Sequence, residues 1–177
     1  ILDPASEKRA TPVAHGLPAS PGGAVGTIVF TNADAVAAAK AKKNVILVRE
    51  ETSPEDVEGM RAAAGILTMK GGMTSHAALV ARGWGKCCIV GCEDMKIDLE
   101  SKTVWFKGSD VKYHEGDSFS LNGAKGAVYA EAIETMDASD NPRFVKFMAI
   151  ADKFRTMGVR TNADTPQDAK KARELGA

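Results

Sequence analysis

The sequence predicts a mixed α/β domain, and two patterns predict it. Three short, largely apolar runs (residues 45–48, 65–68 and 87–90) alternate with helix-forming segments. That is the pattern of parallel strands buried on both faces and joined by right-handed crossovers. Beyond Gly91 the rhythm changes to brief strand-like runs split by Gly108-Ser109-Asp110, Glu115-Gly116-Asp117 and Asn122-Gly123. Those are antiparallel turns.

Taken in order, residues 1–15 are polar, hold two prolines and read as a linker. Gly16-Leu17-Pro18-Ala19-Ser20-Pro21-Gly22-Gly23 is rich in turn residues and leads to a strand at 25–31. Residues 33–41 are alanine-rich and helix-prone. The strand at 45–48 precedes Ser53-Pro54-Glu55-Asp56, a strong helix start. Ser53 can cap it, Pro54 suits the first helical position, and Asp56 can complete a capping box. That helix should reach about residue 63 and give way to the strand at 65–68. A glycine turn, Gly71-Gly72, then opens a helix through Ala77-Ala78-Leu79-Val80-Ala81-Arg82 that stops at Gly83, before the strand at 87–90. Residues 103–107, 111–114, 118–121 and 127–130 supply the antiparallel portion. The core domain is therefore expected over 16–131.

A second boundary follows. Asp140-Asn141-Pro142 opens a helix with Phe144, Phe147, Met148, Ala151 and Phe154 on one face, ended by Gly158. A strand is expected at 159–162. Thr165-Pro166-Gln167-Asp168 then caps a helix running to Leu175, and Gly176-Ala177 should begin another strand. One βα unit cannot close a core. Residues 132–158 are thus expected as a helical linker, and 159–177 as the start of a separate, truncated domain.

Composition excludes several function classes. The 23 basic residues equal the 23 acidic ones, so no net charge draws the chain to nucleic acid or an anionic membrane. Two tyrosines and two tryptophans, not interleaved with basic clusters, do not make a single-strand binder. No apolar run approaches the roughly 18–20 residues of a membrane span. The chain opens on polar residues without methionine, which suggests a piece of a longer protein with any targeting signal outside it. Cys87, Cys88 and Cys92 are odd in number, which argues against a disulfide scaffold and points to an intracellular, reducing compartment. Adjacent strand residues point to opposite faces, so Cys87 and Cys88 cannot easily share a metal, and no metal site is expected. Buried thiols are.

The candidate site is Gly71-Gly72-Met73-Thr74-Ser75-His76. Glycines let backbone approach a ligand, and free amides at a helix N-terminus make a phosphate site. A histidine there suits phosphorylation: the unprotonated imidazole attacks with one nitrogen while an acceptor holds the other as N–H. The helix terminus disfavours the imidazolium and favours the negatively charged product. Thr74 is expected as the N-cap, and the Thr74 and Ser75 hydroxyls as phosphate ligands. Losing such a donor at a transfer site would cost about 2–4 kcal/mol. The same spacing also suits a plain glycine turn, a cap and an ordinary first-turn histidine. Arg82 and Lys86 could meet phosphate or a partner, or be solvated cations at a helix end. His15 and His114 have no donor cluster around them and read as surface residues. No P-loop or other nucleotide motif is present.

The wider string narrows these alternatives. Gly71-Gly72-Met73-Thr74-Ser75-His76-Ala77-Ala78, followed by Ala81-Arg82-Gly83-Trp84-Gly85-Lys86-Cys87-Cys88, resembles the phosphohistidine motif of the pyruvate, phosphate dikinase family of PEP-utilising enzymes. Gly16-Leu17-Pro18-Ala19-Ser20-Pro21-Gly22, the stretch from Glu51 through Ser53-Pro54-Glu55-Asp56 to Met60, and Thr161-Asn162-Ala163-Asp164-Thr165-Pro166 resemble it too. Phosphoenolpyruvate synthase and the first enzyme of the sugar phosphotransferase system share the glycine pair and the histidine. They usually carry arginine where this chain has Met73 and lack the cysteine pair. Leu79 and Gly23 are mild departures from the dikinase pattern.

The resemblance implies a swivelling β/β/α domain whose His76 is a tele (Nε2) phosphohistidine, with Gly71, Gly72, Thr74 and Ser75 positioning phosphate. It implies the start of a (β/α)8 barrel at 159–177. ATP and magnesium would bind an N-terminal nucleotide-binding domain, and pyruvate or phosphoenolpyruvate the C-terminal barrel, all within one chain that pairs as a homodimer. The reaction would be ATP, pyruvate and phosphate to AMP, phosphoenolpyruvate and pyrophosphate, in cytoplasm, plastid or glycosome. Thr74 matches a position at which plant relatives are inactivated by phosphorylation, which would add a regulatory kinase and phosphatase as partners. The fragment itself would bind no cofactor and would not turn over alone. Of another class, a non-catalytic docking module would need neither phosphorylation nor His76.

Overall fold

A computed structural model describes residues 1–174 and 176. The chain divides into two units, Ile1–Met136 and Asp137–Ala177. In chain order the first unit comprises α1 (Pro4–Arg9), β1 (Ala14–His15), β2 (Leu17–Ser20), β3 (Gly23–Val29) and α2 (Asn32–Lys40). It continues through β4 (Val45–Arg49), a 3-10 turn at Pro54–Asp56, α3 (Val57–Ala62), β5 (Gly65–Thr68), α4 (His76–Gly83) and β6 (Cys87–Val90). It closes with β7 (Met95–Asp98), β8 (Thr103–Phe106), β9 (Lys112–His114), β10 (Ser118–Asn122) and β11 (Ala127–Tyr129).

Eight strands form one mixed sheet in the order β1-β11-β10-β3-β4-β5-β6-β2. Its centre, β3 to β6, is parallel, as the alternating pattern predicts. Both faces are covered, which is why these strands read as apolar runs. On one face Leu47, Ile66, Cys88 and Val90 pack against α2, α3 and α4 through Ala35, Met60 and Ala77. On the other, Ile46, Val48, Leu67 and Ile89 meet Met95, Val104 and Phe106 of a separate three-stranded sheet, β7-β8-β9. Each fully buried large side chain here contributes about 1.5–3 kcal/mol relative to exposure. Cys87 and Cys88 fall in opposite cores, as strand alternation requires.

The antiparallel region differs from the expected single β portion. β8 and β9 join β7 in the small sheet, whereas β10 and β11 return to the main sheet beside β3. β7, Met-Lys-Ile-Asp, was not anticipated because its two charged residues mask a strand with one buried side. The turn-rich stretch after Gly16 contains β2, an antiparallel edge strand on β6. Pro18 is tolerated there because an edge strand leaves one row of backbone donors unpaired.

Residues 1–15, expected as a linker, fold onto the domain. Leu2 is buried with Tyr129 and Ile133. Glu7 is also buried, and its carboxylate accepts from Tyr129 Oη at 2.8 Å and Asn122 Nδ2 at 2.7 Å, with Lys125 Nζ 3.1 Å away. The buried carboxylate of Glu7 is thus satisfied by side chains of β10 and β11 rather than by water. Burial alone would push the Glu7 carboxyl up, but these donors outweigh it and hold the group below its ordinary value.

The second unit holds a 3-10 turn at Ala138–Asp140, α5 (Pro142–Ala151) and α6 (Pro166–Glu174). Asn141 caps α5, and Thr165 and Asp168 exchange hydrogen bonds at the start of α6. α5 ends seven residues before Gly158, and its apolar residues Phe144 and Phe147 are exposed. Residues 159–162 form no strand. An isolated extended segment has no neighbour here to supply ladder hydrogen bonds. Leu175, the expected end of α6, and Ala177 lie outside the described residues.

Candidate functional site

Two adjacent parallel strands build the site. β4 and β5 are in register with Arg49 opposite Thr68, so the loops leaving their carboxyl ends emerge side by side. Ligands of open α/β sheets gather at that edge. The pairing continues into the loops: Met69 N–H donates to the Arg49 carbonyl at 3.1 Å, and Lys70 N–H to the Glu50 carbonyl at 2.8 Å. On the other side Cys92 N–H donates to the Thr68 carbonyl at 3.0 Å. The glycine loop is thus moored to β4, β5 and the end of β6.

Gly71 takes φ +100°, a conformation that favours glycine, and turns the chain toward α4. His76 is the first residue of that helix and is half-buried. Ala77, Ala78 and Ala81 form the buried side of α4, small enough to let it lie close on the sheet. The N-cap is Ser75, whose hydroxyl accepts from Ala78 N–H at 3.4 Å; Thr74, the expected cap, lies one residue outside. The shift follows from the helix beginning at His76, which makes the residue just before it the cap. Thr74 and Gly72 are exposed.

Among the described residues the ring of His76 has one polar partner. Its Nδ1 lies 3.2 Å from Thr52 Oγ1, a hydroxyl on the loop after β4 that is only 6% exposed. Among the described residues Nε2 has no hydrogen-bond partner. Sequence reasoning missed Thr52. The available signal was its place three residues beyond a buried parallel strand, beside the helix start at Ser53. Glu55, on the 3-10 turn that follows, is held below the ordinary carboxyl range by the Ser53 hydroxyl first and then by a backbone hydrogen bond.

The two expected cations have different tasks. Arg82 donates from Nε to the Ala78 carbonyl at 3.2 Å and from Nη2 to the Met73 carbonyl, tying the glycine loop to α4. Lys86 is not at the loop. Its Nζ donates to the Arg61 carbonyl at 2.6 Å and to the Ala63 carbonyl, closing the end of α3. Burial, with Arg61 nearby, lowers its affinity for a proton. A groove of about 740 Å³ near the end of β4 is lined by Glu50, Glu51, Asp98 and Glu100, carboxylates that would repel phosphate.

Other reactive groups stay out of the site. Burial raises the thiols of Cys87 and Cys92 to about 11 and that of Cys88 to about 12, which keeps them protonated and unreactive. His15 and His114 are exposed. Among the described residues no group of three or more His, Cys, Asp or Glu side chains is placed to hold a metal ion. No helix among them is long and apolar enough to cross a membrane.

The family model described as "PEP-utilising enzyme, mobile domain" matches residues 41–126, which include Thr52, the glycine loop and α4. The pyruvate, phosphate dikinase of Clostridium symbiosum is 53% identical over 99% of this chain and 20% of its own length. The chloroplastic pyruvate, phosphate dikinase 1 of Arabidopsis thaliana is 52% identical over 93% of this chain and 17% of its own. The NMR solution structure of an Enzyme I (nEIt) protein aligns over 62% of this chain and 38% of its own, at 20% identity and a TM-score of 0.34. The chain spans about a fifth of the length of the curated relatives it matches. Over residues 41–126 the chain is thus similar to the mobile domain of PEP-utilising enzymes.

Proposed function

We propose that this chain is the phosphoryl carrier of a pyruvate, phosphate dikinase, with Nε2 of His76 as the atom that carries the group. One observation carries the reading: a buried hydroxyl occupies Nδ1 and, among the described residues, Nε2 has no partner at the first turn of α4. With Nδ1–H donating to Thr52, the lone pair sits on Nε2.

In the whole enzyme Nε2 takes a pyrophosphoryl group from ATP, releasing AMP. The outer phosphate leaves to inorganic phosphate as pyrophosphate, and the remaining phosphoryl passes to the enolate oxygen of pyruvate. Run from phosphoenolpyruvate, the Nε2 lone pair attacks phosphorus, and the bond to the enol oxygen breaks. The electron pair goes to the enolate, which becomes pyruvate on protonation at carbon. Throughout, Thr52 keeps the Nδ1 proton in place. The amides of α4's first turn and the Ser75 and Thr74 hydroxyls oppose the charge of the phosphorylated ring. Arg82 fixes the Met73 carbonyl and with it the loop. ATP and magnesium act in an N-terminal nucleotide-binding domain and the three-carbon substrate in a barrel that begins at 159–177. The carrier swivels between them on its tethers, within a homodimer. Tethering makes weak encounters productive.

The reading is tested in the full-length enzyme with radiolabelled phosphoenolpyruvate. The expected label is acid-labile, base-stable and absent from His76→Asn. Label that survives in that variant would place the carrier elsewhere.

A further inference from the structure

Two glycines beside His76 have no reason within the fold to be glycine. Among the described residues of the first unit, every other glycine either takes a positive φ or would drive a Cβ to within 4 Å of a neighbour. Gly72 and Gly83 do neither; a Cβ on either would meet open space. Gly83 is the last residue of α4, where glycine is a poorer helix former than alanine. The left-handed residue that terminates the helix is supplied separately, by Gly85 at φ +62°.

Gly83 shares a face with the histidine. Residues 79 and 83 follow His76 by three and seven positions, so all three lie on one side of α4. That side is apolar and bare: Leu79 is 57% exposed and Trp84, just past the helix, 40%. A solvent-facing helix side ordinarily carries charge. Here the one charged residue of α4, Arg82, is turned back onto the Met73 and Ala78 carbonyls.

We infer that Leu79, Gly83 and Trp84 form the surface on which this domain seats against the PEP-handling domain of the same enzyme. Gly83 is the clearing that lets the partner's backbone come close to α4 with His76 aimed into its site. The inference rests on the carrier reading above. Two observations identify the occupant. About four fifths of the length of the curated relatives lies outside the matched region. The family model that covers this whole face is a mobile domain of PEP-utilising enzymes, so the partner common to the family is the one that handles PEP. An exposed apolar patch marks an interaction surface, and a contact of modest area suits one that must release as often as it docks.

Gly83→Ala and Gly83→Gln in the full-length enzyme test this, because each adds atoms where the isolated fold has room. The measurements are the thermal midpoint and the single-turnover rates of His76 phosphorylation from phosphoenolpyruvate and from ATP. Gly83→Ala should keep or raise the midpoint. Gly83→Gln should slow the phosphoenolpyruvate half-reaction by roughly tenfold or more, as intrusion at the centre of an interface does, with a much smaller change from ATP. A lower midpoint in both variants, parental rates from phosphoenolpyruvate, or equal slowing of both half-reactions would overturn the surface assignment. Absence of label on the parent enzyme would instead overturn the carrier reading and this inference with it.

Discussion

Thr52 and His76 stand 24 residues apart in sequence, yet Oγ1 of one lies 3.2 Å from Nδ1 of the other. The contact joins two loops that leave neighbouring parallel strands, and it gives the ring's nitrogens different roles. Thr52→Val removes the hydroxyl while keeping the shape. Phosphotransfer should fall roughly 10- to 100-fold, the worth of a hydrogen bond to a group that becomes charged. Thr52→Ser should retain most of the rate. Nitrogen NMR of the ring should show the Nδ1–H tautomer in the parent and a mixture in Thr52→Val. Equal rates and spectra would remove Thr52 from the site.

Thr74 is exposed beside the cap of α4 and lies outside the buried core. Thr74→Glu should therefore change the unfolding free energy by no more than about 0.5 kcal/mol. A carboxylate next to the phosphorylated ring should nonetheless slow transfer, by like-charge repulsion. Stopped-flow phosphorylation alongside thermal melts checks both halves; a variant as fast as the parent would contradict the placement.

Lys86 joins β6 to the end of α3 through the Arg61 and Ala63 carbonyls. Lys86→Met keeps the aliphatic stem and leaves those carbonyls without their donor. The expected outcome is a loss of about 1–3 kcal/mol in denaturant unfolding, with the transfer rate of the folded fraction unchanged. A selective loss of transfer at full stability would return Lys86 to the site.

Glu7 gives the fold an acid-sensitive latch. Its folded carboxyl sits below the ordinary value, so its contribution is fully present above the unfolded carboxyl's value and fades as pH falls through the folded one. Lowering pH from 7 into the acid range should loosen the 1–10 segment, read as faster proteolysis near α1. Glu7→Gln should weaken the parent at neutral pH and flatten that pH dependence. An unchanged acid limb in Glu7→Gln would show that other carboxyls set it.

Much of the fold was legible because burial writes itself into sequence. The runs ending at Val48, Thr68 and Val90 are apolar since helices cover one side of the sheet and β7 to β9 the other. The capping box at Ser53 and Asp56 was legible for the same local reason. What was not legible depends on partners distant in sequence. The order of residues 1–15 rests on Glu7 finding Asn122 and Tyr129, and the destination of β10 on β3. At the site, the histidine and its glycine turn stood out, but Thr52 did not, because a lone threonine has no spacing signature. Lys86 looked like part of the motif because it is near in sequence, while the strand carries it to α3.

The most direct measurement is the position of the phosphoryl group on the ring. Phosphorus–nitrogen NMR of the full-length enzyme, loaded from phosphoenolpyruvate and held at alkaline pH, reads which nitrogen of His76 is bonded to phosphorus. The account predicts Nε2, with Nδ1 still protonated against Thr52. Phosphorus on Nδ1, or on a residue other than His76, would contradict it.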